Sequence, residues 1–156
     1  MHSKSSLRRT QAKRQILIVD DHLLLPRGLT ALIESEADLA VCGEAATCRA
    51  AIEGIGLRQP DLVIVDLVLG EDDGLDLVKA IRARHPEIPS LVLSMHDESV
   101  YAERSLRAGA LGYVTKQQLD DTVLVAIRCV LNGEKYVSPG SAPGSTRPSC
   151  PAPSCR

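Results

Sequence analysis

Carboxylates, a hydroxyl group and an amine follow apolar runs at several points along this chain. Asp20 and Asp21 follow QILIV, Asp66 ends LVIVD, Ser94 ends SLVLS and Lys116 ends LGYVTK. Apolar runs bounded by turn residues are typical of strands buried on both faces, so a polar group at the end of such a run is not there for packing. In open α/β sheets, ligands bind beyond the carboxyl ends of the strands. We therefore expect these side chains to meet at one edge of a sheet.

Their chemical types favour phosphoryl transfer to an aspartate. Three carboxylates in one pocket repel each other unless a cation joins them or a proton neutralises one. Oxygen ligands of this kind suit Mg²⁺, which keeps several waters and shares its site with a phosphoryl group. Lys116 adds a positive charge for an anion and Ser94 a hydroxyl donor. Asp66 would then be the nucleophile. Alternatively, Asp66 caps or solvates a loop and Ser94 is an ordinary strand-end serine.

Five strands alternating with five helices are needed to position these residues. That alternation requires a parallel sheet with right-handed crossovers and helices on both faces. The predicted strands are 15–21, 39–44, the run ending at Asp66, 90–94 and 111–116. The predicted helices are one with Leu25, Leu29, Leu32 and Ile33 on its apolar face, then 47–58, one from Gly74 to His85-Pro86, 99–108 and 119–131.

The composition limits the classes of protein to which this chain could belong. The 156 residues fit one domain, and a chain with three Tyr and no Phe or Trp must build its core from Leu, Ile, Val and Ala. The net charge of −2 favours neither a nucleic-acid nor a membrane surface, and no apolar run approaches the ~20 residues that span a bilayer. Five cysteines without a C-x-x-C pair, and no secretory signal, predict a reduced, cytoplasmic setting. A metal site at Cys150 and Cys155 would lack further ligands nearby.

Three segments differ in character along the chain. Residues 1–14 are basic and polar, which predicts a disordered leader, with a phosphate-binding arm as the alternative. Residues 15–137 carry the strand and helix patterns of the domain. Residues 138–156 contain five prolines with Ser and Gly between them, which predicts a disordered tail.

Several of these stretches together resemble the receiver domain of two-component response regulators. They are IVDDH at 18–22, the strand ending in Asp66 with Asp73-Gly74 opening the next helix, LVLS at 91–94 and AGALGYVTK at 108–116. The pattern covers residues 15–137. The last stretch, together with NGEKYVSP at 132–139, is similar to the LuxR/NarL class of transcriptional regulators.

The resemblance implies a fold and a role for each residue of the pocket. It implies a flavodoxin-like, doubly wound sheet of five parallel strands in the order 2-1-3-4-5 with five helices. Asp66 would accept a phosphoryl group from a sensor histidine kinase. Asp20, Asp21 and Asp66, with the backbone carbonyl of Val68, would hold Mg²⁺, and Lys116 would pair with the phosphoryl oxygens.

A switch is implied as well. Ser94 would hydrogen-bond the phosphoryl group and shift toward it, and Tyr113 would change rotamer into the space left behind, although Tyr113 could instead be simple core. The move would remodel the surface of the fourth helix, fifth strand and fifth helix, where the family forms its output contacts, including a homodimer of the phosphorylated form. The protein would be a signalling receiver that promotes only its own phosphorylation and dephosphorylation.

The chain also departs from the family pattern. Gly70 stands where a proline is usual in the loop after the acceptor, and Gln117 where an acidic residue or proline is common. The LuxR/NarL class carries a helix-turn-helix module, which needs roughly fifty residues or more. Residues 138–156 cannot supply it, so we expect no DNA binding by this chain itself. Truncation, a natural single-domain form and a shifted reading frame remain open as explanations.

Three other functions can be compared with that of a signalling receiver. A phosphohydrolase working through an aspartyl-phosphate usually has a second acid two residues after its nucleophile, but Leu67 and Val68 follow Asp66. A degenerate receiver would act as a constitutive protein-binding module. A dinucleotide site is disfavoured because no G-x-G-x-x-G follows the first strand.

Overall fold

A computed structural model describes residues 13–21, 24–95, 99–116 and 121–137. The predicted tail, almost all of the leader, Gln117, Cys150 and Cys155 lie outside these ranges. The strands are β1 Arg14–Val19, β2 Leu39–Ala45, β3 Leu62–Asp66, β4 Val68–Leu69, β5 Asp72–Asp73, β6 Ser90–Ser94, β7 Gly112–Thr115 and β8 Tyr136–Val137. The helices are α1 Leu24–Glu34, α2 Cys48–Arg58, α3 Gly74–Arg84, α4 Ser99–Ala108 and α5 Asp121–Leu131.

The main sheet is parallel and runs in the order β2-β1-β3-β6-β7-β8. The five predicted strands follow the expected order, but the predicted count of five is wrong because β8 adds a sixth strand beside β7. After α5 the chain turns at Gly133, whose φ is +82°, and the N–H of Tyr136 donates to the carbonyl of Leu111 at 3.0 Å. A strand of two residues has too little alternation for its pattern to reveal it.

Aliphatic side chains fill the core on both faces of the sheet. Leu17, Val63 and Val65 point to one face and pack with Ile55 of α2 and Val78 of α3. The alternate residues of the same strands point to the other face and pack with α1 and α5; these are Ile16, Ile18, Leu62 and Ile64 against Leu29, Ile33, Val123 and Ile127. The fold is therefore doubly wound, with helices covering both faces, as the sequence predicts.

Side-chain caps fix where two of the helices begin. Thr47, predicted as the first residue of a helix, instead caps α2, because its hydroxyl accepts the N–H of Ala50 at 3.1 Å. The carboxylate of Asp73 accepts the N–H of Leu75 at 2.9 Å and caps α3. Caps of this kind satisfy backbone donors that have no partner within the helix. The cap on α3 places the start of that helix directly behind the loop that follows Asp66.

Candidate functional site

Three carboxylates converge at the carboxyl ends of the adjacent strands β1 and β3. Asp20 and Asp66 are buried, at 7% and 4% exposure, whereas Asp21 is exposed. Each offers an oxygen, and these oxygens all lie within 4.8 Å of one another. In the part of the chain that the structure describes, no other group of His, Cys, Asp and Glu side chains is arranged to hold a metal. The predicted convergence of Asp20, Asp21 and Asp66 is present.

Lys116 reaches into the same pocket from the end of β7. Its Nζ lies 2.8 Å from Oδ2 of Asp66 and 3.3 Å from Oδ2 of Asp20, and its side chain is only 7% exposed. Three carboxylates carry more negative charge than the one ammonium group of Lys116 can balance. A divalent cation would balance that excess, and the all-oxygen donor set is the kind that Mg²⁺ takes. The residues therefore fit this ion.

The groups around Asp66 change the pKa of its carboxyl in opposite directions. Burial raises the pKa of the Asp66 carboxyl, and the charge of Asp20 adds to the rise. The hydrogen bond and charge of Lys116 act in the opposite direction and lower the pKa of Asp66. Lys116 thus favours the ionised form, which is the nucleophilic one.

The loop after Asp66 forms a tight antiparallel hairpin, in which Val68 pairs with Asp73 and Leu69 with Asp72. Gly70 and Glu71 are the two turn residues, and φ of Gly70 is +58°. Two-residue hairpin turns need a positive φ at the first central position, where glycine is favoured and proline, fixed near −65°, is excluded. The departure at Gly70 is therefore explained by the turn. The N–H of Val68 donates to Oδ1 of Asp66 at 3.2 Å, which ties the hairpin to the predicted acceptor.

Gly74 closes this loop against the backbone of Asp66. Its N–H donates to the carbonyl of Leu67 at 3.0 Å. A Cβ on Gly74 would lie 2.2 Å from the carbonyl oxygen of Asp66, which is far too close for any side chain. Glycine is required here so that α3 can begin directly behind the strand that carries Asp66.

Ser94 and Tyr113 lie in the two strands that were predicted to carry them. Ser94 ends β6 at 1% exposure, opposite Thr115 in the ladder with β7. Tyr113 is fully buried in the same core cluster as Ala102 of α4, and Tyr101 packs against that cluster. Tyr113 is thus a core residue in this structure. Its predicted change of rotamer would require that packing to open.

One contact beside the pocket was not predicted from the sequence. The carboxylate of Asp72 accepts the N–H of Cys48, the first residue of α2, at 2.9 Å. The thiol of Cys48 lies 3.7 Å from the carbonyl oxygen of Asp73 and donates to it. The Gly-Glu pair between VL and DD was the available signal for the hairpin, since Gly-X turns join such short strands. No local sequence pattern predicts the contact between Asp72 and α2.

Comparisons with known proteins identify the family of this chain. The profile of the response regulator receiver domain matches residues 16–128. The oxygen regulatory protein NreC of Staphylococcus haemolyticus is 34% identical over 124 residues, which is 79% of this chain and 57% of NreC. The solved structure of a LuxR-family two-component response regulator from Aurantimonas sp. SI85-9A1 is 33% identical, with a TM-score of 0.74, over 80% of this chain and 89% of that one. The receiver domain of NarL from Mycobacterium tuberculosis is 27% identical, with a TM-score of 0.74, over 79% and 99% of the two chains.

The fold and the matching family profile define a signalling domain, and the chain belongs to the response regulator receiver family. Proteins similar to it include the LuxR-family response regulator from Aurantimonas sp. SI85-9A1 and the transcriptional regulatory protein DegU of Brevibacillus brevis. The chain spans 54–60% of the length of the curated relatives that it matches. Across the described residues, no helix is both long and apolar enough to cross a lipid bilayer.

Proposed function

We propose that Asp66 accepts a phosphoryl group from a phosphohistidine of a sensor histidine kinase. The observation that carries this proposal is the 2.8 Å contact of the buried Asp66 carboxylate with Lys116, beside Asp20 and Asp21. The ammonium group of Lys116 opposes the effect of burial on the pKa of Asp66 and so favours the ionised, nucleophilic form. Surplus acidic oxygens around it are the setting that phosphoryl transfer to an aspartate needs.

The chain's own residues perform three tasks in this transfer. A carboxylate oxygen of Asp66 attacks phosphorus, forming a P–O bond while the P–N bond breaks and the histidine nitrogen keeps the electron pair. Lys116 moves from neutralising the carboxylate to neutralising the phosphoryl oxygens, which requires only small displacements because its amine already touches Asp66. The N–H of Val68 holds Oδ1 of Asp66, and Oδ2, which faces Lys116, would be the attacking oxygen.

Asp20, Asp21, Asp66 and the carbonyl of Val68 would hold Mg²⁺ in this proposal. When bound, the ion supplies positive charge that offsets the charge of the phosphoryl oxygens. The three carboxylates, each of which offers an oxygen within 4.8 Å of the others, support the assignment. The exposed side chain of Asp21 also leaves one side of the pocket open to solvent and to the ion.

Phosphorylation would be read out through Ser94 and Tyr113. Ser94 would donate its hydroxyl to the phosphoryl group, and Tyr113 would repack toward the space that Ser94 leaves. The surface formed by α4, β7 and α5 would change as a result, favouring a homodimer and an output linked to transcription. We place this activity in the cytoplasm, where the kinase donor would be reached, and assign DNA binding to a module other than the described domain.

Intact mass spectrometry tests the acceptor. After incubation with Mg²⁺ and a small acyl phosphate, the wild type should gain one phosphoryl group, and Asp66→Asn should gain none. Asp76→Asn, which removes an exposed acidic charge on α3, is the matched control and should label like the wild type. Equal labelling of Asp66→Asn and the wild type would move the acceptor to another residue.

A further inference from the structure

The hairpin that carries Val68 lies between the acidic pocket and the first turn of α2. On the pocket side, a Cβ on Gly70 would lie 3.1 Å from Oδ2 of Asp21, so the turn packs closely on that carboxylate. On the other side, the carboxylate of Asp72 accepts the N–H of Cys48 at 2.9 Å. The hairpin thus spans the space between a pocket carboxylate and the start of a helix.

The contact between Asp72 and the N-terminus of α2 is electrostatically favourable. The first N–H groups of a helix have no partner within it, and its N-terminus carries partial positive charge, so a carboxylate there is stabilised. The hydroxyl of Thr47 satisfies the N–H of Ala50, while Asp72 satisfies that of Cys48. Burial, together with the charge of Asp72, raises the pKa of the Cys48 thiol, which keeps the thiol protonated and able to donate to the carbonyl of Asp73. Two hydrogen bonds therefore fasten β5 to α2.

These two hydrogen bonds also constrain Val68, because β5 pairs with β4 in the hairpin. Asp73 pairs with Val68, and Asp72 with the buried Leu69. Val68 itself is 54% exposed, so its side chain contributes little packing to hold it in place. The position of its backbone depends on the ladder, on the bond from its N–H to Asp66 and on the contact to α2.

We propose that Asp72 is a positioning residue, which holds the β4–β5 hairpin on the N-terminus of α2 and thereby sets the affinity of the pocket for Mg²⁺. This inference rests on the proposed function, in which the carbonyl of Val68 is a ligand of that ion. Groups that orient metal ligands typically change metal affinity 10–100-fold when they are removed. Loss of the contact should weaken Mg²⁺ binding by about tenfold, at the lower end of that range, because Asp20, Asp21 and Asp66 remain.

The contact between Asp72 and Cys48 can be removed by changing either residue. Asp72→Ala deletes the acceptor. Cys48→Pro deletes the N–H and the thiol but no ionised group, and proline is well tolerated at the first position of a helix. The extended backbone of Thr47, with φ −137° and ψ 162°, is also compatible with a following proline. Asp72→Asn keeps an oxygen that can accept, and Asp76→Ala removes an exposed acid whose charge also reaches Cys48.

Isothermal titration of the full chain with MgCl₂ measures the affinity, and hydrogen–deuterium exchange of residues 67–73 without the metal measures the anchoring. We expect Asp72→Ala and Cys48→Pro each to weaken binding about tenfold and to speed exchange. Asp72→Asn should restore binding to within about threefold of the wild type, and Asp76→Ala should change it less than twofold.

Other outcomes separate the two proposals. No Mg²⁺ binding by the wild type would overturn the metal site and this inference together. Wild-type affinity in both Asp72→Ala and Cys48→Pro, even with faster exchange, would overturn the inference alone and leave the metal site standing. If Asp72→Asn or Asp76→Ala weakened binding as much as Asp72→Ala, charge would be the cause and the positioning role would be wrong.

Discussion

Replacing Lys116 by methionine removes the ammonium group that pairs with Asp20 and Asp66. Both carboxylates are buried, and the amine lies 2.8 and 3.3 Å from them. Removing one partner of a buried ion pair typically costs about 3–5 kcal/mol because the remaining charge loses its compensation. We expect about 3 kcal/mol here, since the pocket opens to solvent at Asp21 and Asp66 can take up a proton instead.

The loss should depend on pH in a defined direction. Burial already raises the pKa of Asp66 and Lys116 opposes the rise, so the variant should have an Asp66 pKa that is higher still. A carboxyl whose pKa is higher in the folded than in the unfolded state destabilises the fold once it ionises. The variant should therefore lose stability, relative to wild type, as the pH rises through its folded-state pKa, and regain it below that pKa.

Urea denaturation followed by circular dichroism between pH 4 and pH 8 measures this difference. Lys79→Met, which removes an exposed lysine of α3, is the control and should stay within about 0.5 kcal/mol of the wild type. Mg²⁺ should recover part of the loss in Lys116→Met by linkage, since it binds only the folded pocket. Equal stability of Lys116→Met and wild type at pH 8, with parallel pH profiles, would refute the electrostatic account of the pocket.

Three further variants test the surrounding structure. Gly74→Ala should destabilise the fold by about 2–3 kcal/mol and abolish phosphoryl uptake, because its Cβ would displace the backbone of Asp66; thermal unfolding and intact mass check this, and unchanged values would contradict it. Gly70→Pro cannot adopt a φ of +58° and should weaken Mg²⁺ binding at least as much as Asp72→Ala does, which the same titration measures. Arg128→Met should cost about 1 kcal/mol near pH 7 by removing the ion pairs of Arg128 with Glu36 and Asp38. Because the hydrogen bond from Arg128 lowers the pKa of Asp38, part of that cost should vanish as the pH falls below about 4, and a difference that grew on acidification would be inconsistent with it.

Sequence reasoning located the pocket because its residues follow long-range rules. Strand ends of a parallel sheet meet at one edge, so Asp20, Asp66 and Lys116 could be brought together without knowing a single distance. Burial of the strands on both faces was equally readable from LVIVD and SLVLS. Family resemblance then supplied the strand order, which composition and periodicity alone do not contain.

What sequence reasoning missed depends on tertiary contacts of short segments. The two residues of β8 form a strand because α5 and the turn at Gly133 return the chain to β7, and no periodic pattern of two residues can show this. The hairpin after Asp66 is similarly short. The contact between Asp72 and Cys48 joins residues 24 positions apart through a carboxylate that could equally have faced solvent.

Chemical trapping identifies the residue that carries the phosphoryl group. The wild type is incubated with Mg²⁺ and an acyl phosphate, and borohydride then reduces any aspartyl phosphate to homoserine, which peptide mass mapping locates. We expect a single homoserine at position 66, absent when Mg²⁺ is omitted. Homoserine at Asp20 or Asp21, or no conversion at any aspartate under labelling conditions, would contradict it.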